Sequence, residues 1–191
     1  MPTKTSSLEQ TDYTVKTHSW KGWYDIANGL YNYLIQLRQD HILHRWCGEY
    51  VSPLFISNAA RIYPELHTVE VYRRSDGKQQ LKAFAIWADG CAIEVNFKDS
   101  LFIRKEDDPR YHLRLSDISE IMAWCVGEHR AGLLALDHMR DTAPGRTLMT
   151  ESHDPRMQKL YRDAGFEPVY IRSMTKHNVR WKLYEDTLAL V

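Results

Sequence analysis

Along the chain the apolar positions change period several times, and each change marks an element. From residue 20 to about 46, Trp23, Ile26, Ala27, Leu30, Tyr31, Leu34, Leu37, Ile42 and Leu43 recur three and four apart, the spacing of one or two amphipathic helices. Gly29 costs helix stability there, and Gly48 is placed to end the segment. Residues 13–18 read as a short strand before it, with Ser19 or Asp25 as a helix cap. Residues 53–63 read as a second short helix halted near Pro64. The period then drops to two. Residues 68–73 and 81–87 alternate around a Ser75-Asp76-Gly77 turn, and residues 91–97 follow a second turn at Asp89-Gly90. An antiparallel meander is expected from these segments.

Residues 101–104 can extend the sheet, and 105–110 form a charged connector. Helical spacing returns at Ile118, Ile121, Met122, Cys125, Val126, His129, Leu133, Leu136 and Met139. With Ser116 as N-cap, this predicts one helix over about residues 117–140, closed by Ala143-Pro144-Gly145. A short strand at 147–150, a helix at 155–163 stopped by Gly165, and strands at 168–174 and 179–183 complete the order.

Composition narrows the class. The 191 residues are 43% hydrophobic and 26% charged, with 25 basic and 25 acidic side chains, which suits one globular domain with a real core. Residues 1–11 read as a flexible polar tail and 12–191 as the domain. Zero formal net charge argues against nucleic acid as a partner. The apolar runs are too short for a membrane span and the N-terminus lacks a secretory pattern, so a cytoplasmic protein is expected. Cys47, Cys91 and Cys125 are far apart and lack zinc spacing, which predicts buried reduced thiols and no metal site. His41 and His44 share a helix face but have no third ligand at a defined spacing.

The order of elements resembles that of the GNAT (GCN5-related N-acetyltransferase) superfamily: helices, an antiparallel meander, a long helix, a strand, a short helix and a terminal hairpin. The sharpest local match runs from Asp154 through Met157, Leu160, Tyr161 and Ala164 to Gly165-Phe166. Asp154 stands where the family has Asn and Met157 where it has a small residue, while Tyr161, Gly165 and Phe166 agree. A helix C-cap followed by a core aromatic would produce the same segment. The resemblance implies an α+β, GNAT-like fold with a central, mixed, mostly antiparallel sheet flanked by helices.

The family's second signature is a glycine-rich loop between a central strand and a long helix, where backbone N–H groups hold the coenzyme diphosphate. Its nearest counterpart is Gly127-Glu128-His129-Arg130-Ala131-Gly132, with Ala131 and Leu133 in glycine places and Glu128 in place of Gln or Arg. Two foldings compete. In one, residues 120–126 form the central strand and 127–132 wrap the diphosphate with help from Arg130. In the other, a helix from Ser116 runs straight through, and Ser116 and Asp117 oppose an anion at its start. The unbroken helical spacing favours the second. This degeneracy resembles that of the divergent GNAT-like proteins of tailed phages of the T7 type, which include a virion protein.

By the resemblance, Tyr161 would be the acid beside the thioester sulfur, and Gly127 to Gly132 with Asp154 would line an acetyl-CoA site. Glu94 and His129 are the candidate bases, against bland readings as a solvated strand carboxylate and a helix-face histidine. Trp20, Trp23, Tyr24, Tyr31, Tyr33 and Trp46 either pack over the sheet or form a partner or homo-oligomer surface. Two functions follow as expectations: an acetyl-CoA-dependent N-acetyltransferase acting on an amine, or a non-catalytic GNAT-like protein that binds other proteins, with a place in a virion if phage-encoded.

Overall fold

The computed structural model describes residues 12–37, 52–90, 103–104, 117–143, 147–175 and 178–190. Strand β1 (Tyr13–Lys21) leads into helix α1, made of Gly22–Tyr24, a π-helical stretch Asp25–Leu30 and Tyr31–Leu37. Helix α2 (Pro53–Ile62) precedes the hairpin of β2 (Glu65–Ser75) and β3 (Lys78–Asp89). There follow β4 (Ile103–Arg104), β5 (Ile118–Val126), α3 (His129–Thr142), β6 (Thr147–Glu151), α4 (Pro155–Asp163), β7 (Glu167–Thr175) and β8 (Asn178–Leu190).

Among the described residues the strands form one eight-stranded sheet in the order β1-β2-β3-β5-β6-β8-β7-β4. Every neighbouring pair is antiparallel except β5 and β6. The expected α+β architecture, mixed but mostly antiparallel with helices on both faces, is therefore the observed one. Alternation along the strands feeds two cores. On one face α1 and α2 bury Ile26, Leu30, Leu34 and Ile56 against Leu66, Phe84 and Ile86. On the other, α3 and α4 bury Ala135, Met139 and Tyr161 against Val69, Ala85, Trp87 and Trp124.

One expected element is overturned. The helix predicted over 117–140 is a strand from Ile118 to Val126, and the helix starts only at His129. The strand is central and covered on both faces, with only Glu120, Met122 and Val126 less than fully buried. Such a strand reads as a continuous apolar run and satisfies helical spacing by accident. Cys125 corrects a second expectation, because it is disulfide-bonded rather than a reduced thiol. Cys47 and Cys91 lie outside the described residues, as do the strand expected at 91–97, Glu94 and Ser116.

Candidate functional site

The parallel pair β5–β6 is short. Ile118, Ser119 and Glu120 pair with Thr147, Leu148 and Met149, after which β6 ends at Glu151 while β5 continues to Val126. Beyond Glu120 no further ladder pair joins the two strands, and this unpaired stretch is the wedge. Thr150 Oγ1 donates to the Ile121 carbonyl at 3.1 Å and ties the throat of the wedge together. A β-bulge falls at the same level: Trp87 pairs with Ile121 and Ile86 with Ala123, so Met122 is the extra residue on β5. Bulges re-aim side chains locally. Here Met122, like Ala123, packs toward the α1–α2 core.

At the C-terminal end of β5 the chain turns at once into α3. The N–H groups of Gly127 and Glu128 both reach the Lys82 carbonyl, at 2.8 and 3.2 Å. The first bond of the helix ladder runs from Gly132 N–H to Glu128 O at 3.0 Å, which leaves the N–H groups of His129, Arg130 and Ala131 outside the ladder. Other helices answer this need with side chains: Ser52 accepts from Phe55 N–H at the start of α2, and Asp154 from Arg156 N–H at the start of α4. At α3 the N-cap is Glu128, and its side chain makes no cap bond. The Glu128 carboxylate instead accepts from Tyr13 Oη and lies 3.3 Å from Arg73 Nη1. Arg73 and Arg130 both sit over the Tyr13 ring, at 5.7 and 5.6 Å from its centroid.

Gly132 lets the first turn of α3 press onto the sheet. A Cβ there would stand 2.7 and 2.9 Å from the Val126 methyls and 3.4 Å from Cζ2 of Trp124. The Trp124 indole thus lies beneath the helix start, and its Nε1–H is buried with no hydrogen-bond acceptor, an arrangement that is costly unless something supplies one.

Tyr161 projects from α4 and is buried between Trp124 and Phe166, with both ring centroids 5.1 Å away. The helix ends as its sequence suggests. Gly165 has φ +94°, Phe166 N–H reaches Tyr161 O and Gly165 N–H reaches Arg162 O, both at 3.0 Å. Those two bonds form a Schellman cap, so the Tyr161-to-Phe166 match also has the purely structural role expected of it. Asp154 is engaged in capping α4, and Arg156 Nε lies 3.7 Å from its carboxylate.

Of the two candidate bases, Glu94 is outside the described residues and His129 is exposed at the first position of α3. A carboxylate not among those candidates stands where the β5–β6 ladder ends. Glu120 is half-buried on β5, is the last residue paired with β6, and accepts a hydrogen bond from Tyr63 Oη. Its acidity amid the apolar run 118–126 was the available signal, since a charge on a central strand needs a reason.

Two other titratable groups lie on β2. Glu70, on β2, is buried and accepts from Tyr33 Oη and, at 2.8 Å, from Tyr72 Oη. Burial and the adjoining carboxylate push the Tyr33 phenol well above its ordinary range. His67 stacks on Trp87 at 4.1 Å, and burial holds its pKa below the usual 6.5. Among the described residues no group of three or more His, Cys, Asp or Glu side chains is arranged for a metal, and no helix is long and apolar enough to cross a membrane.

Helices inserted after the first strand, an antiparallel run of strands, a parallel pair that parts in front of a helix start, and a terminal hairpin together fix the architecture. The fold is GNAT-like. No family model matches the sequence, and no curated protein does. Solved structures do. The ribosomal-protein-S18-alanine N-acetyltransferase of Escherichia coli is 16% identical over 93% of this chain and 93% of its own, with a TM-score of 0.45. A probable acetyltransferase from Staphylococcus epidermidis is 12% identical over 93% of this chain and 98% of its own, also at 0.45. NAA60 of Arabidopsis thaliana, solved with a bisubstrate analogue, is 13% identical over 93% of this chain and 97% of its own, at 0.43. The likeness is one of fold, and a GNAT-like fold does not by itself assign an activity.

Proposed function

We propose that the chain is a divergent N-acyltransferase that moves an acetyl group from acetyl-CoA to an amine. The observation that carries this reading is the β5–α3 junction: a strand that outruns its ladder with its parallel neighbour, followed directly by a helix whose N-cap side chain makes no cap bond. Anions are favoured at such a helix start. The residues present fit a coenzyme diphosphate. The N–H groups of His129, Arg130 and Ala131 are outside the helix ladder, and Arg130 adds a cation. The Glu128 carboxylate is engaged by Tyr13 and Arg73, and Asp154 by the start of α4. Gly127 and Gly132 shape the turn, and the Trp124 indole beneath it still has a proton to donate.

When bound, the coenzyme supplies a thioester carbonyl activated toward an amine. The chain's own groups supply the proton transfers. Glu120, at the point where β5 and β6 part, accepts the proton of the attacking amine, with Tyr63 fixing its carboxylate. Tyr161 Oη returns a proton to the departing thiolate, a role a phenol fills without prior charge. Glu94 and His129 are the alternatives to Glu120 as base.

The test is calorimetric titration with acetyl-CoA and CoA at moderate ionic strength, with Arg130→Ala and Tyr161→Phe as controls. Micromolar binding weakened by Arg130→Ala supports the site, and Tyr161→Phe then retains binding and loses turnover. Absence of binding up to about 1 mM coenzyme, a standard free energy of only about −4 kcal/mol, would sink the reading. It would leave the non-catalytic, protein-binding GNAT-like protein in its place.

A further inference from the structure

Among the described residues strand β1 is an edge of the sheet, and its hydrogen bonds have a fixed phase. Arg74 N–H donates to Asp12 O at 3.0 Å, and the register continues from Tyr13↔Arg73 to Lys21↔Glu65 without a shift. In an antiparallel ladder every second residue bonds its partner, so Thr14, Lys16, His18 and Trp20 face β2. The N–H and C=O groups of Tyr13, Val15, Thr17 and Ser19 therefore point away from the sheet. Lys21 shares their phase, and its N–H is taken by Asp25 Oδ2 at 2.9 Å, which closes the edge at that end. No hydrogen bond to the backbone of the other four is found among the described residues. Thr14 to Ser19 are exposed on both faces. Edges are ordinarily guarded by a bulge, a proline, charged side chains such as lysine, or a covering element; β1 has no bulge and no proline, it is rich in threonine and other good strand formers, and its guard is its lysines, which oppose a basic strand and not an acidic one.

Charge selects the occupant. The strand carries Lys16, His18 and Lys21 and no carboxylate. Lys21 is paired with Glu65 and the neighbouring Arg73 with Glu128, but among the described residues neither Lys16, which stands opposite the buried Glu70 and lies 4.6 Å over the Tyr72 ring, nor Arg74 makes an ion pair. Pairing with a second copy is opposed by the same charges. The antiparallel register that uses the whole open stretch sets Lys16 opposite Lys16, an arrangement that destabilises a strand pair. We propose that β1 is a docking edge for an extended acidic segment of another protein, added to the sheet as a further strand through Tyr13, Val15, Thr17 and Ser19. This surface is independent of the acyl-transfer reading.

The probe is a short acetylated, fluorescein-labelled peptide of alternating glutamate and valine, with a lysine-for-glutamate counterpart. Fluorescence anisotropy measures binding to the full chain, and amide hydrogen exchange followed by NMR locates it. The acidic peptide should bind saturably and slow exchange at Val15, Thr17 and Ser19, while the lysine peptide should not. Thr17→Pro leaves the β1–β2 ladder intact because the Thr17 N–H faces outward, and it should weaken binding by about tenfold or more. Lys16→Glu, which keeps the backbone, should weaken the acidic peptide and admit the basic one. Unslowed exchange at these amides with saturating peptide, equal affinity for both peptides, or a dimer by sedimentation with β1 protected in the absence of peptide would each overturn the proposal.

Discussion

At Gly132 a methyl group would be set 2.7 and 2.9 Å from the two methyls of Val126. Replacing a helical glycine by alanine ordinarily gains about 0.5–1 kcal/mol of backbone entropy, but overpacking at a helix–sheet contact costs about 1–3 kcal/mol, so the second effect wins. Gly132→Ala should therefore lower the urea midpoint, and Val126→Ala in the same chain should recover part of the loss. A double-mutant cycle with no coupling would show that the contact is not the cause. His67 carries a different prediction. Its folded-state pKa is depressed by burial, so the unfolded chain binds the proton more readily. The neutral ring's contribution is full above about pH 6.5, the unfolded value, and is lost as pH falls from there through the folded-state pKa. His67→Gln should flatten that acid limb of stability measured by urea titration. Residue identities told unequal amounts in advance. Gly165 was legible because turn chemistry is local, whereas Asp154 was read as a coenzyme-lining residue and proves to cap α4, and Glu120 and Trp124 have meaning only beside partners such as Tyr63 and Tyr161, distant in sequence.

Elements were legible where burial is one-sided. Helix α4 carries its own cap, first-turn proline and terminal glycine, and the expected residues 155–163 are those observed. Helix α2 and the β2–β3 hairpin likewise follow from Ser52-Pro53 and the Asp76-Gly77 turn. The failure at β5 has the opposite cause, since a strand buried on both faces carries no period of its own. Gly127 was the local cue to the break, and nothing in the apolar run itself outweighed the helical spacing. The same region offers a test at this scale. Thr150 Oγ1 is the link across the throat of the β5–β6 wedge, and Thr150→Val keeps the shape while leaving the Ile121 carbonyl without that donor. Its loss should cost about 1–3 kcal/mol, the penalty for an unpaired buried polar group. Hydrogen exchange should rise first in the β5 and β6 amides. Unchanged stability would mean that the carbonyl finds another donor and that the wedge is not held by this bond.

Across the whole molecule, periodicity names strands but not their neighbours. Strand β1 pairs with β2 across an intervening helical segment, and β8 enters between β6 and β7, pairings that depend on which surfaces remain to be buried once the hairpins and helices exist. The GNAT-like element order implied a mixed, mostly antiparallel sheet in advance, without this strand order. What it did not supply is the crosslink at Cys125, because three scattered cysteines specify no pairing. The buried Cys125 side chain belongs to the α1–α2 core, beneath the face opposite α3, so the disulfide restrains that layer of the molecule. It acts on the unfolded chain by closing a loop, and such closures contribute about 2–4 kcal/mol. Protein purified without reductant and then denatured should titrate one thiol from its three cysteines, and three after reduction. Reductant should lower the urea midpoint of the native chain, and Cys125→Ala should start from a lowered midpoint and respond no further. Three thiols without reductant, together with a midpoint indifferent to reduction, would show that Cys125 serves the core by packing alone.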